Sequence, residues 1–353
     1  WEIWPIRACT FLVISCPCAL VISVPLSFFS GIGAASKNGI LVKGSNFLEV
    51  LAEADTVIFD KTGTLTKGVF EVTGIYPNGV SEEELLSRAA CGESFSSHPI
   101  AKSILSAYGK KVDVDLVKNA EEISGHGVKV DAGCELLAGN ARLMKKFGVE
   151  FEEGNEIGTV VYVAADRKYI GRLVISDMLK PDSKQAISSL KNSGLKTVML
   201  TGDRKSIAQR IAGELSIDEV ESELLPEDKV RELEKRMGDE TKVCYVGDGI
   251  NDAPVIARAD VGIAMGSMGS DAAIEAADIV IMDDKPSKLS SAVRIAKKTR
   301  VIVRENIIFA LAVKALVLIL GAIGIATMWE AVFADVGVAV IAILNAMRAL
   351  RAK

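Results

Sequence analysis

Three short apolar runs, at residues 56–59, 197–200 and 243–246, each end on a turn of small residues carrying an aspartate: Asp60, Asp203 and Asp248. Short unbroken apolar runs bounded by turns fit strands buried on both faces of a parallel sheet. Helical spacing at 182–193, 204–215 and 229–237 supplies the crossovers that parallel strands need, and further strands are expected at 261–264 and 278–282. The chain is therefore constrained to an α/β, doubly wound sheet, and such sheets collect functional groups beyond the carboxyl ends of their strands. Three acidic strand ends can share one crevice.

From about residue 69 to 171 the acidic strand ends disappear and short strands and helices alternate with glycines. Alternating runs at 159–165 and 169–175 flank Asp166, Arg167 and Lys168, which predicts a hairpin, and 81–91 and 100–108 have helical spacing. We read 69–171 as an inserted α+β domain splitting a catalytic domain made of 36–68 and 172–290. Residues 36–54 look like an amphipathic stalk leading into the first strand.

Hydrophobic residues make up 49% of the 353 and concentrate at the two ends, in 6–32 and 307–350, the latter interrupted near Trp329 and Glu330. Each piece approaches the roughly 20 residues that span a bilayer. This predicts one transmembrane helix within 1–35 and two within 300–350. Basic residues flank the middle region (Lys37, Lys43, Arg294, Lys297, Lys298, Arg300, Arg304), whereas the turn between the last two helices carries only Glu330, which places the middle region in the cytoplasm. The expected setting is an integral membrane protein, in a bacterial inner membrane, in contact with lipid. A net charge of −5 suggests no nucleic-acid partner. Six scattered cysteines do not suggest a disulfide framework.

An acidic crevice of this kind suits phosphoryl transfer: Asp60 attacks the γ-phosphate of a nucleotide, Asp248 helps hold Mg2+, and Thr201 with Lys229 holds phosphoryl oxygens. The segments DKTGTLT (60–66), TGD (201–203) and GDGIND (247–252) resemble those of the P-type ATPases, ion pumps with a haloacid-dehalogenase-like phosphorylation domain. The resemblance implies ATP as substrate, an aspartyl phosphate on Asp60, Mg2+ held by Asp60, Asp248 and the Thr62 carbonyl, and catalytic roles for Lys61, Thr62, Gly202, Asp203, Asn251 and Asp252.

In the insertion, GESFSSHPIA (92–101) resembles the His-Pro element of the heavy-metal branch, and Gly125-His126-Gly127 and Gly139-Asn140 resemble its other nucleotide contacts. By that resemblance Glu93, His98, Gly125, Gly127, Gly139 and Asn140 hold the adenine end of ATP, with His126 an ordinary surface-loop residue. Glycines that let backbone approach a ligand agree with this.

Cys16, Pro17 and Cys18 lie within the first apolar segment, with Pro25 two turns on. Proline frees backbone carbonyls and breaks the helix, letting two thiols face one cavity, and thiolates select soft or borderline cations. Lys314 and Asp335 are ionisable groups inside apolar segments, which makes them functional candidates and a plausible pair. The Cys-Pro-Cys triplet resembles the transport signature of heavy-metal P-type ATPases. Lys314 with Asp335-Val336-Gly337 resembles the Zn2+/Cd2+/Pb2+ subgroup, so the transported ion is expected to sit on Cys16, Cys18 and Asp335 with Lys314 as charge partner. A Cu+ pump is the alternative, given Met328, Asn345 and Met347.

No Thr-Gly-Glu motif of an actuator domain occurs, and the family's N-terminal helices are not in this sequence. The expectation is the C-terminal portion of a longer protein. Two competing readings are a membrane-anchored phosphatase of the dehalogenase type, which usually carries an acid/base Asp where this chain has Thr62, and an ATP-binding or metal-sensing subunit that cannot complete transport.

Overall fold

The computed structural model describes residues 17–352 except 97, 113–116, 118, 155, 157, 239, 267–269 and 324–327. The chain divides into two compact units: residues up to 65 with 181–203 and 212 onward, and residues 66–180 with 204–211.

In the first unit a seven-stranded sheet runs in the order Ile40–Val42, Ile279–Ile281, Val261–Met265, Val243–Gly247, Thr56–Asp60, Lys196–Leu200, Glu219–Glu221. All neighbours are parallel except the first pair. The central strands are apolar on both sides because helices cover both faces: Val57, Ile58 and Phe59 are inaccessible, as are Val198, Met199 and Leu200. This is the doubly wound sheet that the apolar runs and the helices between them predict. The expected helix at 229–237 begins earlier, as Pro226–Glu234, since proline is favoured in a first turn.

The expected stalk at 36–54 is not one element. The first helix stops at Lys37, Gly39 adopts φ +74°, and Ile40–Val42 turns back as an antiparallel edge strand before the Ser45–Glu53 helix. A glycine in the left-handed region terminates the helix, and the alternating burial of Ile40, Leu41 and Val42 makes a strand of what resembles half of an amphipathic helix.

Among the described residues three helices are long and apolar enough to cross a membrane: Cys18–Lys37, Ser287–Ile323 and Phe333–Arg351. The first presents a stripe of small residues, Ala19, Ser23, Ser27, Ser30, Gly31 and Ala34, all buried. Gly31 meets Thr299 so closely that a Cβ there would lie 2.4 Å from Thr299 Oγ1. Small residues allow the near approach that helix packing in lipid relies on. Pro25 does not break the helix, as the sequence suggested; the helix runs through it. The last span contains a wide π turn, Phe333–Gly337, centred on Asp335.

The second unit is a six-stranded antiparallel sheet in the order Thr66–Pro77, Lys168–Leu179, Thr159–Ala165, Glu135–Gly139, Gly127–Asp131, Asn119–Ile123. Side chains alternate between two cores. Leu136, Ala138, Val161 and Val163 face Leu85, Ala89 and Ile104 of the Glu82–Glu93 and Pro99–Tyr108 helices, while Leu137, Tyr162 and Ala164 face Leu143 and Met144. The expected hairpin turns on Asp166 and Arg167 alone, both at positive φ (46° and 61°), with Lys168 already in the strand.

Candidate active site

Asp60 ends the central strand, and the chain then kinks: Thr62 is extended (φ −73°, ψ 132°) and Gly63 is left-handed (φ +72°). Gly63 has no alternative, because a Cβ there would sit 1.5 Å from Asp248 Oδ2. The kink brings the Asp60 loop against the end of the Val243–Gly247 strand.

Carboxylate oxygens of Asp60, Asp248 and Asp252 lie within 4.8 Å of one another. Lys229, from the Pro226–Glu234 helix, donates to Asp60 Oδ1 at 2.5 Å and to Asp252 Oδ1 at 2.9 Å. Lys61 points elsewhere, pairing with Asp203 at 2.7 Å. Burial, then the Asp252 carboxylate, push Asp60 up to about 7 against the pull of Lys229. Burial would lower Lys229, but Asp60 and Asp252 outweigh it and hold the ammonium above its usual range.

Tyr245 was not singled out in the sequence. It is inaccessible, and its hydroxyl donates to Asp252 Oδ1 at 2.9 Å. Burial and the surrounding carboxylates hold the phenol well above its ordinary value, so it stays a donor. A tyrosine inside an apolar strand carries no sequence signal that separates it from core.

Thr201 is buried at the tip of the neighbouring strand, and its Oγ1 accepts from the Asp203 amide at 3.1 Å. Thr62, Gly202 and Asn251 are exposed on the same edge of the sheet. The donor set is chemically that of Mg2+: hard carboxylate oxygens at one spot, with room secured by a glycine that a side chain would fill.

A cavity of about 290 Å³ in the second unit is lined by Glu93, His98, Gly125, Gly127, Gly139 and Asn140 together. His126, expected as plain surface loop, lines it too, as do Glu122 and Thr159. Several of these residues also have structural duties. Asn140 caps the Ala141–Lys146 helix through Oδ1 and holds the Gly125 carbonyl through Nδ2, at 2.9 Å. Gly127 pairs with Gly139, and a Cβ on Gly127 would lie 2.2 Å from the Ala138 carbonyl oxygen. His98 caps the Pro99–Tyr108 helix through Nδ1. Glu93 is 6% exposed, and burial, then Glu122, raise it to about 7.

In the apolar helices Lys314 and Asp335 line one small cavity with Pro17, Ala19, Leu20, Ala310 and Ala334. Cys16 lies outside the described residues. Cys18 opens the first apolar helix and is disulfide-bonded.

A family model for haloacid dehalogenase-like hydrolases matches residues 54–260. The cadmium, zinc and cobalt-transporting ATPase of Bacillus subtilis (strain 168) is 57% identical over 99% of this chain and 51% of its own length. The zinc-transporting ATPase of Synechocystis sp. is 55% identical over 98% of this chain and 48% of its own. This chain thus spans about half the length of these relatives. Among solved structures, a zinc-transporting PIB-type ATPase in the E2.Pi state superposes with a TM-score of 0.88 at 38% identity, covering 99% of this chain and 59% of that one. The catalytic domain of the CPx-ATPase CopB-B gives 0.59 at 35% identity, over 73% of this chain and 96% of that domain.

Proposed function

Because this chain belongs to the haloacid dehalogenase-like hydrolases, and among them to the metal-transporting P-type ATPases, we propose that it carries the phosphorylation, nucleotide and ion-binding parts of a Zn2+/Cd2+ export pump. The observation that carries the reading is Asp60 at the end of the central strand, within reach of Asp248 and Asp252 and neutralised by Lys229.

Lys229 occupies Asp60 Oδ1, which leaves Oδ2 as the attacking oxygen. Attack on the γ-phosphorus forms the acyl phosphate and breaks the bond to the β-phosphate oxygen, releasing ADP. Lys229 then lies beside the oxygens that gain charge. Tyr245 and Lys229 both bind Asp252 Oδ1, which fixes that carboxylate against the nucleophile. Asp60, Asp248 and the Thr62 carbonyl are the groups that would hold Mg2+, which when bound offsets phosphate charge. Glu93, His98 and the glycine-lined cavity take the adenine, and bury it away from water. Thr62 is where a dehalogenase-type phosphatase carries its acid/base Asp, so nothing at that position hastens hydrolysis, and the phosphoenzyme persists.

For the ion we propose Cys16, reduced Cys18 and Asp335, with Lys314 as the charge that competes for Asp335. The lysine and aspartate on one cavity favour Zn2+ or Cd2+ over Cu+, which wants thiolates and thioethers without a carboxylate. Cobalt, absent from the sequence-based expectation, appears in the names of relatives and belongs in the same assay; lead, which that expectation included, is tested beside it. The setting is a membrane, in a bacterium its inner one, with both compact units cytoplasmic apart from the apolar helices.

The test is hydroxylamine-sensitive, acid-stable incorporation of label from γ-labelled ATP under reducing conditions, with Zn2+, Cd2+, Co2+, Pb2+, Cu+ or chelator, beside Asp60→Asn. Label that needs Asp60 and rises with Zn2+ or Cd2+ supports the proposal. Label that survives Asp60→Asn sinks the phosphorylation site, and stimulation by Cu+ alone replaces zinc with copper.

A further inference from the structure

Asn306 is 1% exposed in the middle of the apolar helices and joins all three of them. Its Nδ2 donates to Ser27 Oγ at 3.3 Å on the Cys18–Lys37 helix and to the Ala342 carbonyl at 3.1 Å on the Val338–Ala346 helix. Its Oδ1 accepts from Asn345 Nδ2 at 2.9 Å. Asn345 and Arg348 both donate to Glu305 Oε2 at 3.1 Å, which ties the junction to an exposed ion pair.

The junction sits at a common level. Ser27 is nine residues from Cys18, Asn306 eight from Lys314, and Ala342 seven from Asp335, so the three bonded positions lie about 10–14 Å along their helices from the candidate ion site. Between the two levels Ala19 packs with Ala310, Val338 and Ala339, with Leu20 and Val313 against them, and Ser23 is buried on the first helix. Apolar contact is non-directional, whereas hydrogen bonds are directional and specify register more sharply. A slip of one residue moves a ligand by 1.5 Å along its helix, and metal sites tolerate about 0.2 Å.

We propose that Asn306 is a positioning residue that locks the register of the Cys18 helix against the Asp335 helix, and so sets the affinity of the site for a thiophilic divalent cation. This rests on the ion site proposed above. It acts through the helices, since Asn306 itself lies two turns away.

The experiment is a Cd2+ titration of the reduced full chain in lipid-containing detergent micelles, read by the ultraviolet thiolate-to-cadmium band, with Cys18→Ser as the blank for other thiols. Asn306→Leu is expected to weaken the midpoint about tenfold, the lower end of what loss of a ligand-orienting group costs, with the band reaching the wild-type amplitude. Ser27→Ala, which removes only the link to the Cys18 helix, is expected to shift it in the same direction by less. A purely structural asparagine would instead lower the amplitude, through fewer folded sites, and leave the midpoint in place; that result, or a midpoint within twofold of wild type, overturns the positioning role while the ion site stands. A wild-type protein with no Cys18-dependent band removes the ion site, and the positioning role with it.

Discussion

Glu93→Gln is expected to stabilise the protein at alkaline pH and to leave it unchanged in acid. Glu93 lies almost wholly buried beside Glu122, and its midpoint moves from the ordinary 4.5 to about 7. Between those values the folded chain keeps a proton that the unfolded chain has released, so stability falls as pH rises through the window. Carrying a carboxyl from 4.5 to about 7 corresponds to about 3 kcal/mol at pH 8, an upper figure, and to nothing at pH 4. Glutamine keeps the shape and carries no charge, so the variant removes that cost. The assay is thermal or urea unfolding of both proteins at pH 4, 6 and 8, with ATP affinity measured alongside. A stability difference that grows steadily from pH 4 to 8 is expected. A difference independent of pH, or a less stable variant at pH 8, would refute the linkage.

Gly63→Ala forces a left-handed alanine and drives its methyl into Asp248, so phosphoenzyme formation should fall about 100-fold or more; turnover within threefold of wild type would show that the loop relaxes freely. Lys229→Met leaves Asp60 and Asp252 facing each other unpaired in a buried site, which should cost about 3–5 kcal/mol and abolish labelling, a loss that chemical denaturation measures directly. Arg167→Gly relieves a positive φ at the hairpin tip and gives up only an exposed 3.5 Å ion pair with Glu135, so the melting temperature should rise, by about 1 kcal/mol in stability. A fall on that substitution would mean the turn is not under backbone strain.

Parts of this architecture were legible in the sequence because they depend on local chemistry. Apolar runs ending in Asp60, Asp203 and Asp248 can form little other than buried parallel strands, and alternating runs around residue 166 can form little other than a hairpin. What sequence reading missed depends on long-range partners. The Ile40–Val42 strand exists because Ile279–Ile281 offers an edge, and its three residues hold no periodicity strong enough to announce it. Tyr245 matters through a single hydroxyl bonded to Asp252, which no spacing reveals. Asn140 and His98 read as ligand contacts, yet their polar atoms also cap helices. Asn306 looks like one polar residue in an apolar helix until three helices are assembled around it.

The Ser287–Ile323 helix has 37 residues, so it is a single rod about 55 Å long. Near its start Lys288 bonds the Asn38 carbonyl and Lys297 the Ser193 carbonyl, which clamp it to the sheet-bearing unit; its far half carries Asn306 and Lys314 into the apolar region. A rotation of about 5° at the clamped end displaces the other by about 5 Å over that length, close to one helical turn. The geometry is that of a long arm held at one end by the sheet-bearing unit, so any tilt of that end is largest where Asn306 and Lys314 lie.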